Sequence, residues 1–158
     1  MNWEAVGAIA EILGVIAVIG SLIYVGRQIN QNTQIARANI VHETAILSNQ
    51  IFQLIAQDSE LADIYGRGTT GVSLNGVDLQ RFTALVTMYM TWLEDIDSQA
   101  TAGLYFDPPD GESAIEYLSR EFSCFFSTPE VRHWWHDSGK VGFHHHFIRQ
   151  TDRHIDSA

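Results

Sequence analysis

Cysteine occurs once in the 158 residues, as Cys124, proline three times, and acids outnumber lysine and arginine by 19 to 9. A single thiol excludes an intrachain disulfide and fits a reducing compartment; flanked by aromatics in FSCFF, it reads as a small buried hydrophobe. The shortage of positive charge is concentrated in the middle of the chain, where twelve acids from Asp58 to Glu121 face three arginines, a balance of −9. Such a surface repels phosphate backbones, which excludes nucleic acid as the expected partner. Catalytic signatures are missing too: there is no GxGxxG, phosphate loop, HExxH or paired CxxC, and Ser123 and Ser127 have no GxSxG context. No strand alternation of useful length and no internal repeat occurs. These absences leave an all-α chain for which no cofactor is expected.

What the chain does have is a long apolar run. From Ala5 to Gly26 the only charged residue is Glu11. A helix of that length rises about 33 Å, enough for a hydrocarbon core of about 30 Å. A cleaved signal peptide would carry a basic start and a small-residue cleavage site; Met1 to Glu4 has no lysine or arginine, and the sequence continues past Gly26 without proline or glycine through Gln57. The bilayer is therefore the first expected partner. Trp3 and Tyr24 stand near the two ends, as interfacial aromatics do, and Arg27 and Arg37 follow the span whereas Glu4 precedes it. By the positive-inside rule this is a single-pass protein of the inner (cytoplasmic) membrane with its C-terminal domain in the cytoplasm.

Gly7, Ala10, Gly14, Ala17 and Ser21 recur at alternating steps of three and four and share one helix face. Small residues let a second helix approach closely, so this stripe predicts packing against another copy or a partner membrane protein. Glu11 borders the stripe; an ionisable group at that depth costs a few kcal/mol unless it snorkels, protonates or finds a partner. A channel lined near Glu11 would need a polar stripe through the whole span, and only Ser21 accompanies it.

The expected division is a membrane helix over 1–27, a juxtamembrane helix over 28–57 that continues into a bundle, and an acidic domain over 58–158 of about four to five further helices. Ile35, Ile40, Ile46, Leu47, Ile51, Leu54 and Ile55 give the second segment a loose apolar face. Asp58 or Ser59 starts a short helix that Gly66 and Gly68 are expected to end, followed by a flexible loop, GTTGVSLNG. Asn75 is the expected cap of the clearest core helix, with Asp78 in capping-box position and Leu79, Phe82, Val86, Tyr89, Leu93, Ile96 and Ala100 inward. Asp107 before Pro108 opens another helix to about Phe126, with Ile115, Leu118, Phe122, Phe125 and Phe126 inward. Thr128 before Pro129 opens EVRHWWHDS, stopped by Gly139, and Phe143, Phe147, Thr151 and Ile155 place a last helix against the domain.

The opening MNWEAVGAIAEILGVIAVIGSLIYVGRQINQNT, then AQDSELADIYGRG, LNGVDLQRF and PEVRHWWHDSGKVGFHHHFI, resemble a family of small bacterial proteins built from an N-terminal membrane helix and a compact helical domain. The resemblance spans nearly the whole chain and is most specific in the N-terminal block and the Trp134-Trp135 pair. It implies architecture and a bacterial source but no activity and no catalytic residue. The chain departs from the pattern at His144-His145-His146, where a Ser-Pro-Glu-like helix start is usual.

Six of the seven histidines lie from His133 onward. His133 and His136, at i and i+3, can present two imidazoles to one metal, with a third ligand from His144 to His146 or from Glu94, Asp95 or Asp97. This defines the enzyme alternative, a metal-dependent hydrolase or oxidoreductase; surface or cap histidines are the competing reading, and Glu94, Asp95 and Asp97 read as a solvated face rather than as a pair for acid/base catalysis. From Glu130 onward four acids balance four bases, so histidine protonation sets the charge of the tail, and mild acidification is expected to strengthen its docking beside the acidic middle. Only one of the adjacent Trp134 and Trp135 can face inward; the other is available to line a groove or meet a partner. The combined expectation is a membrane-anchored helical interaction or assembly module.

Overall fold

The computed structural model describes residues 2–105, 114–121 and 123–157; within these, the side chains of Ala5, Ala114, Ser119, Arg120, Glu121, Ser123, Cys124 and Ser157 are not described. The start of the expected helix at Asp107 and Pro108, the inward place of Phe122 and the burial of Cys124 thus lie outside the described residues. The fold is all-α: α1 (Trp3–Gln57), α2 (Ser59–Thr69), α3 (Gly76–Thr101), α4 (Ala114–Glu121), α5 (Ser123–Phe126), α6 (Pro129–Trp134), a π-helical turn (Trp135–Gly139) and α7 (His145–Ser157), with no strand among the described residues. The chain forms two compact units, Met1–Asn39 and Ile40–Ala158.

The first unit is helical from Trp3 onward; α1 contains the candidate membrane span, and none of its most apolar stretch is buried. Its large apolar side chains, among them Ile9, Leu13, Ile16 and Leu22, are exposed.

The second unit is organised around α3. Phe82, Val86, Tyr89, Leu93 and Ile96 are buried along one stripe, joined by Leu85, Met90 and Trp92. The helices α2, α4 and α6 pack on α3, and α4 packs on α7, which adds Phe147, Thr151 and Ile155 to the core. Two members of the expected stripe depart: Leu79, in the first turn, is exposed, and Ala100 is half-buried. The end of α1 contributes less apolar surface than its sequence promises. Of its expected face only Ile51 is buried, while Ile35, Ile46, Leu47 and Leu54 are exposed. The position facing inward is the polar Thr44, whose hydroxyl is satisfied by the Ile40 carbonyl at 2.8 Å and whose own carbonyl accepts from Trp92 Nε1 at 3.1 Å.

Asp58 breaks the chain between α1 and α2 with an extended backbone, and its carboxylate accepts the N–H groups of Glu60 and Leu61. Contrary to expectation, Gly66 and Gly68 do not end α2, which runs to Thr69 before Gly71 turns the chain at φ 77°. Position 68 takes glycine within the helix because the ring of Phe82 occupies the space a side chain would need; a Cβ there would lie 2.3 Å from Phe82 Cε2. The connection to α3 is pinned by Leu74, which is buried. Asn75 is the N-cap of α3 but its side chain makes no capping bond, and Asp78 does not complete a capping box: its carboxylate accepts from Arg67 Nη2 at 2.7 Å instead. A second arginine, Arg81, bridges Asp58 at 2.7 Å and Glu60 at 2.6 Å, so two cations on α2 and α3 neutralise acids across their shared face.

Candidate functional site

Most of the sequence-derived site residues of the second unit fall into three arrangements. The first lies where α7 begins. Glu94 Oε1 accepts the backbone N–H of His144 at 2.6 Å and faces its Nδ1 at 3.1 Å. A carboxylate from α3 thus serves the opening turn of α7, where free N–H groups favour negative charge. His146 Nδ1 lies 3.0 Å from Asp97 Oδ2, and Asp97 is 3 % exposed. Burial pushes the Asp97 carboxyl up, and the bond to His146 opposes that shift. The solvated-face reading therefore survives only for Asp95, which is exposed; Glu94 and Asp97 are positioning contacts for α7.

The second arrangement surrounds Trp135. Its indole is buried, tilted against Phe143 at 5.7 Å and edge-on to Phe147 at 6.1 Å. Nε1 donates to Asp152 Oδ1 at 2.9 Å, and Lys140 Nζ reaches the same oxygen at 2.7 Å. Burial raises the Asp152 pKa, but the bonds from Lys140 and Trp135 outweigh it and hold the carboxyl below the usual value. His136 Nε2 lies 3.3 Å from Asp156 Oδ1. Trp135 is thus the inward member of the tryptophan pair and is not an accessible partner surface.

The third arrangement is a groove of about 520 Å³ lined by Leu74, Leu79, Glu130, His133, Trp134 and Asp137. Trp134, half-buried, is the member of the pair left to it. Six wall residues come from α6 and the π-helical turn that continues it, a wider coil often found at functional sites. Gly139, at the end of that turn, gives the Trp134 ring its place: a Cβ on it would stand 2.8 Å from the indole carbons. Nothing in the sequence pattern marks the π turn, so the widened helix was not foreseen.

His133 and His136 do not converge with a third ligand. His133 lines the groove and His136 pairs with Asp156; among the described residues no group of three or more His, Cys, Asp or Glu side chains is placed to hold a metal. In the first unit, Gly7 and Gly14 have open space where a side chain would stand, and Ser21 donates to the Val18 carbonyl at 2.7 Å, satisfying its hydroxyl within the helix. Ala10, Glu11 and Ala17 are exposed with them.

His144 and His146 lie against carboxylates of α3. The pH response of His154 runs against the expected strengthening of docking by acid. Burial lowers its pKa, with Glu116 raising it and Arg153 adding to the fall. A base whose folded pKa is depressed stabilises the fold fully above its unfolded value of about 6.5, and that contribution is lost as pH falls through the folded value. His154→Gln is expected to flatten the loss of stability between pH 7 and 5, measured as urea midpoints at each pH; an unchanged slope contradicts the assignment.

Comparison with protein-family models, with curated proteins and with solved structures finds no match, so the resemblance drawn from the sequence gains no relative from it and the functional reading rests on the chain's own residues.

Proposed function

We propose that the chain is a single-pass, membrane-anchored helical interaction or assembly module, held in the inner (cytoplasmic) membrane with its C-terminal domain in the cytoplasm. The observation that carries this reading is the apolar stretch of α1, long enough to cross a bilayer and exposed along its length. Water penalises such a surface at about 25 cal/mol for each Å² of apolar area, and lipid removes that penalty. Arg27 and Arg37 on the C-terminal side support the orientation. Extraction of membranes with alkaline carbonate tests the anchoring.

Assembly is proposed to run through the face of Gly7, Ala10, Gly14, Ala17 and Ser21, against a second copy or a partner membrane protein. Lipid is as apolar as leucine, so association in the membrane depends on close packing, and the open space at Gly7 and Gly14 permits it. Gly14→Leu is expected to convert the detergent-solubilised oligomer to a smaller species in cross-linking and sedimentation. An unaltered distribution of species would show that the face makes no helix contact.

A further inference from the structure

We propose that the groove beside Trp134 binds an arginine side chain presented by an apolar-flanked segment of a partner protein. Its volume of about 520 Å³ falls within the range of about 300–1,000 Å³ usual for ligand sites. Glu130, Trp134 and Asp137 are spaced four and three residues apart, which sets two carboxyl groups and an indole on one side of α6 and its π-helical continuation. Glu130 Oε2 is shielded from solvent and has no hydrogen-bond partner among the described residues, so a donor in the groove reaches it once the side chain turns outward. A buried carboxylate oxygen left in that state is costly and is relieved by a donor. Among the described residues neither lysine nor arginine lines the groove, and His133 is the one basic side chain in its wall.

The complementary group is cationic, flat and rich in donors. A guanidinium meets all three requirements: it stacks on an indole face and forks toward carboxylates with parallel N–H bonds, which a compact ammonium does not do. Leu79, exposed in the first turn of α3, and buried Leu74 supply an apolar wall for the alkyl stem and its neighbours. Gly139 keeps the indole in the wall, since any side chain there would collide with its ring. A protein is the source of the arginine because cytoplasmic flanks of membrane proteins are enriched in lysine and arginine, and a domain tethered to that surface meets them at high local concentration. This last step rests on the anchored, cytoplasmic reading proposed above; the groove chemistry does not.

The test uses the full chain in nonionic detergent micelles, titrated calorimetrically with N-acetyl-Leu-Arg-Leu-amide and with its citrulline counterpart, which keeps the shape and loses the charge. The arginine peptide is expected to bind, and the citrulline peptide to bind at least about tenfold more weakly. Glu130→Gln, Asp137→Asn and Trp134→Ala are each expected to weaken the arginine peptide by about fivefold or more, with melting temperatures recorded to establish that each variant is folded. Asp137 is exposed, so Asp137→Asn keeps the test decisive if either of the other two changes disturbs the fold. Equal binding of the two peptides, undiminished binding by the folded variants, or no binding at millimolar peptide overturns the proposal. Methylguanidine binding as tightly as the peptide would assign the groove to a small cation and overturn the protein partner. A chain that binds the peptide but leaves membranes in alkali would retain the groove and lose the anchor, so the two readings fail separately.

Discussion

Trp135→Ala is expected to destabilise the helical domain by about 3–5 kcal/mol, the range for removing a large buried aromatic ring. The indole has no exposed surface and contacts Trp134, Phe143 and Phe147, linking the π-helical turn, the segment before α7 and α7 itself. Its hydrogen bond to Asp152 is the smaller part of the loss, because Lys140 keeps that carboxylate paired. Trp135→Phe, which retains a ring and forfeits the N–H, should cost about 1–2 kcal/mol. A domain of this size holds about 5–15 kcal/mol in all, so the alanine variant loses a large share of its margin. Urea denaturation of the micelle-bound chain measures both variants. A loss under about 1 kcal/mol for the alanine would mean that the ring is not where the core places it.

Two glycines on one short helix should respond with opposite sign. Both Gly66 and Gly68 lie inside α2, where alanine is worth about 1 kcal/mol over glycine on backbone grounds. At Gly66 no atom stands within 4 Å of the added methyl, and the change is expected to stabilise by up to about 1 kcal/mol. At Gly68 the methyl would meet Phe82 Cε2 at 2.3 Å, Cδ2 at 2.5 Å and Cζ at 2.7 Å. Phe82 is buried on α3, so relief requires α2 and α3 to part or the ring to leave its rotamer. Overpacking of this kind costs about 1–3 kcal/mol and exceeds the helical gain. Thermal melts of the two single variants are the check. A Gly68→Ala chain as stable as Gly66→Ala would show that the two helices do not approach as described.

The same pair shows what the sequence could and could not convey. Two glycines one residue apart in a short helix read as a stop, because local propensity is all that a single sequence displays. The ring that makes Gly68 useful lies fourteen residues on in α3 and enters only through tertiary packing. Periodicity was legible where one helix buries one long face: five of the seven positions assigned to the interior of α3 are buried. It failed along the end of α1, where a threonine faces inward because its own helix satisfies its hydroxyl, which no hydrophobic pattern records.

Site residues divided in the same way. That one tryptophan of the pair turns inward followed from helical geometry; which one depended on Phe143, Phe147 and Asp152, all distant in sequence. Read alone, the histidines offer a metal site only as an alternative to surface or cap positions. In the fold, His144 and His146 go to separate carboxylates on α3 and His136 to one on α7, so potential ligands are used in pairs. The acid at Asp97 was assigned to solvent because charged residues usually are; its burial is compensated by a histidine from the far end of the chain.

Retention on membranes under alkaline carbonate measures the central claim. The full chain, expressed without an affinity tag, is expected to stay in the pellet, and deletion of residues 3–26 is expected to move it to the supernatant as a folded domain with unchanged far-ultraviolet helicity per residue in the remaining segments. A full-length chain that appears in the carbonate supernatant, folded and monodisperse, would contradict the account.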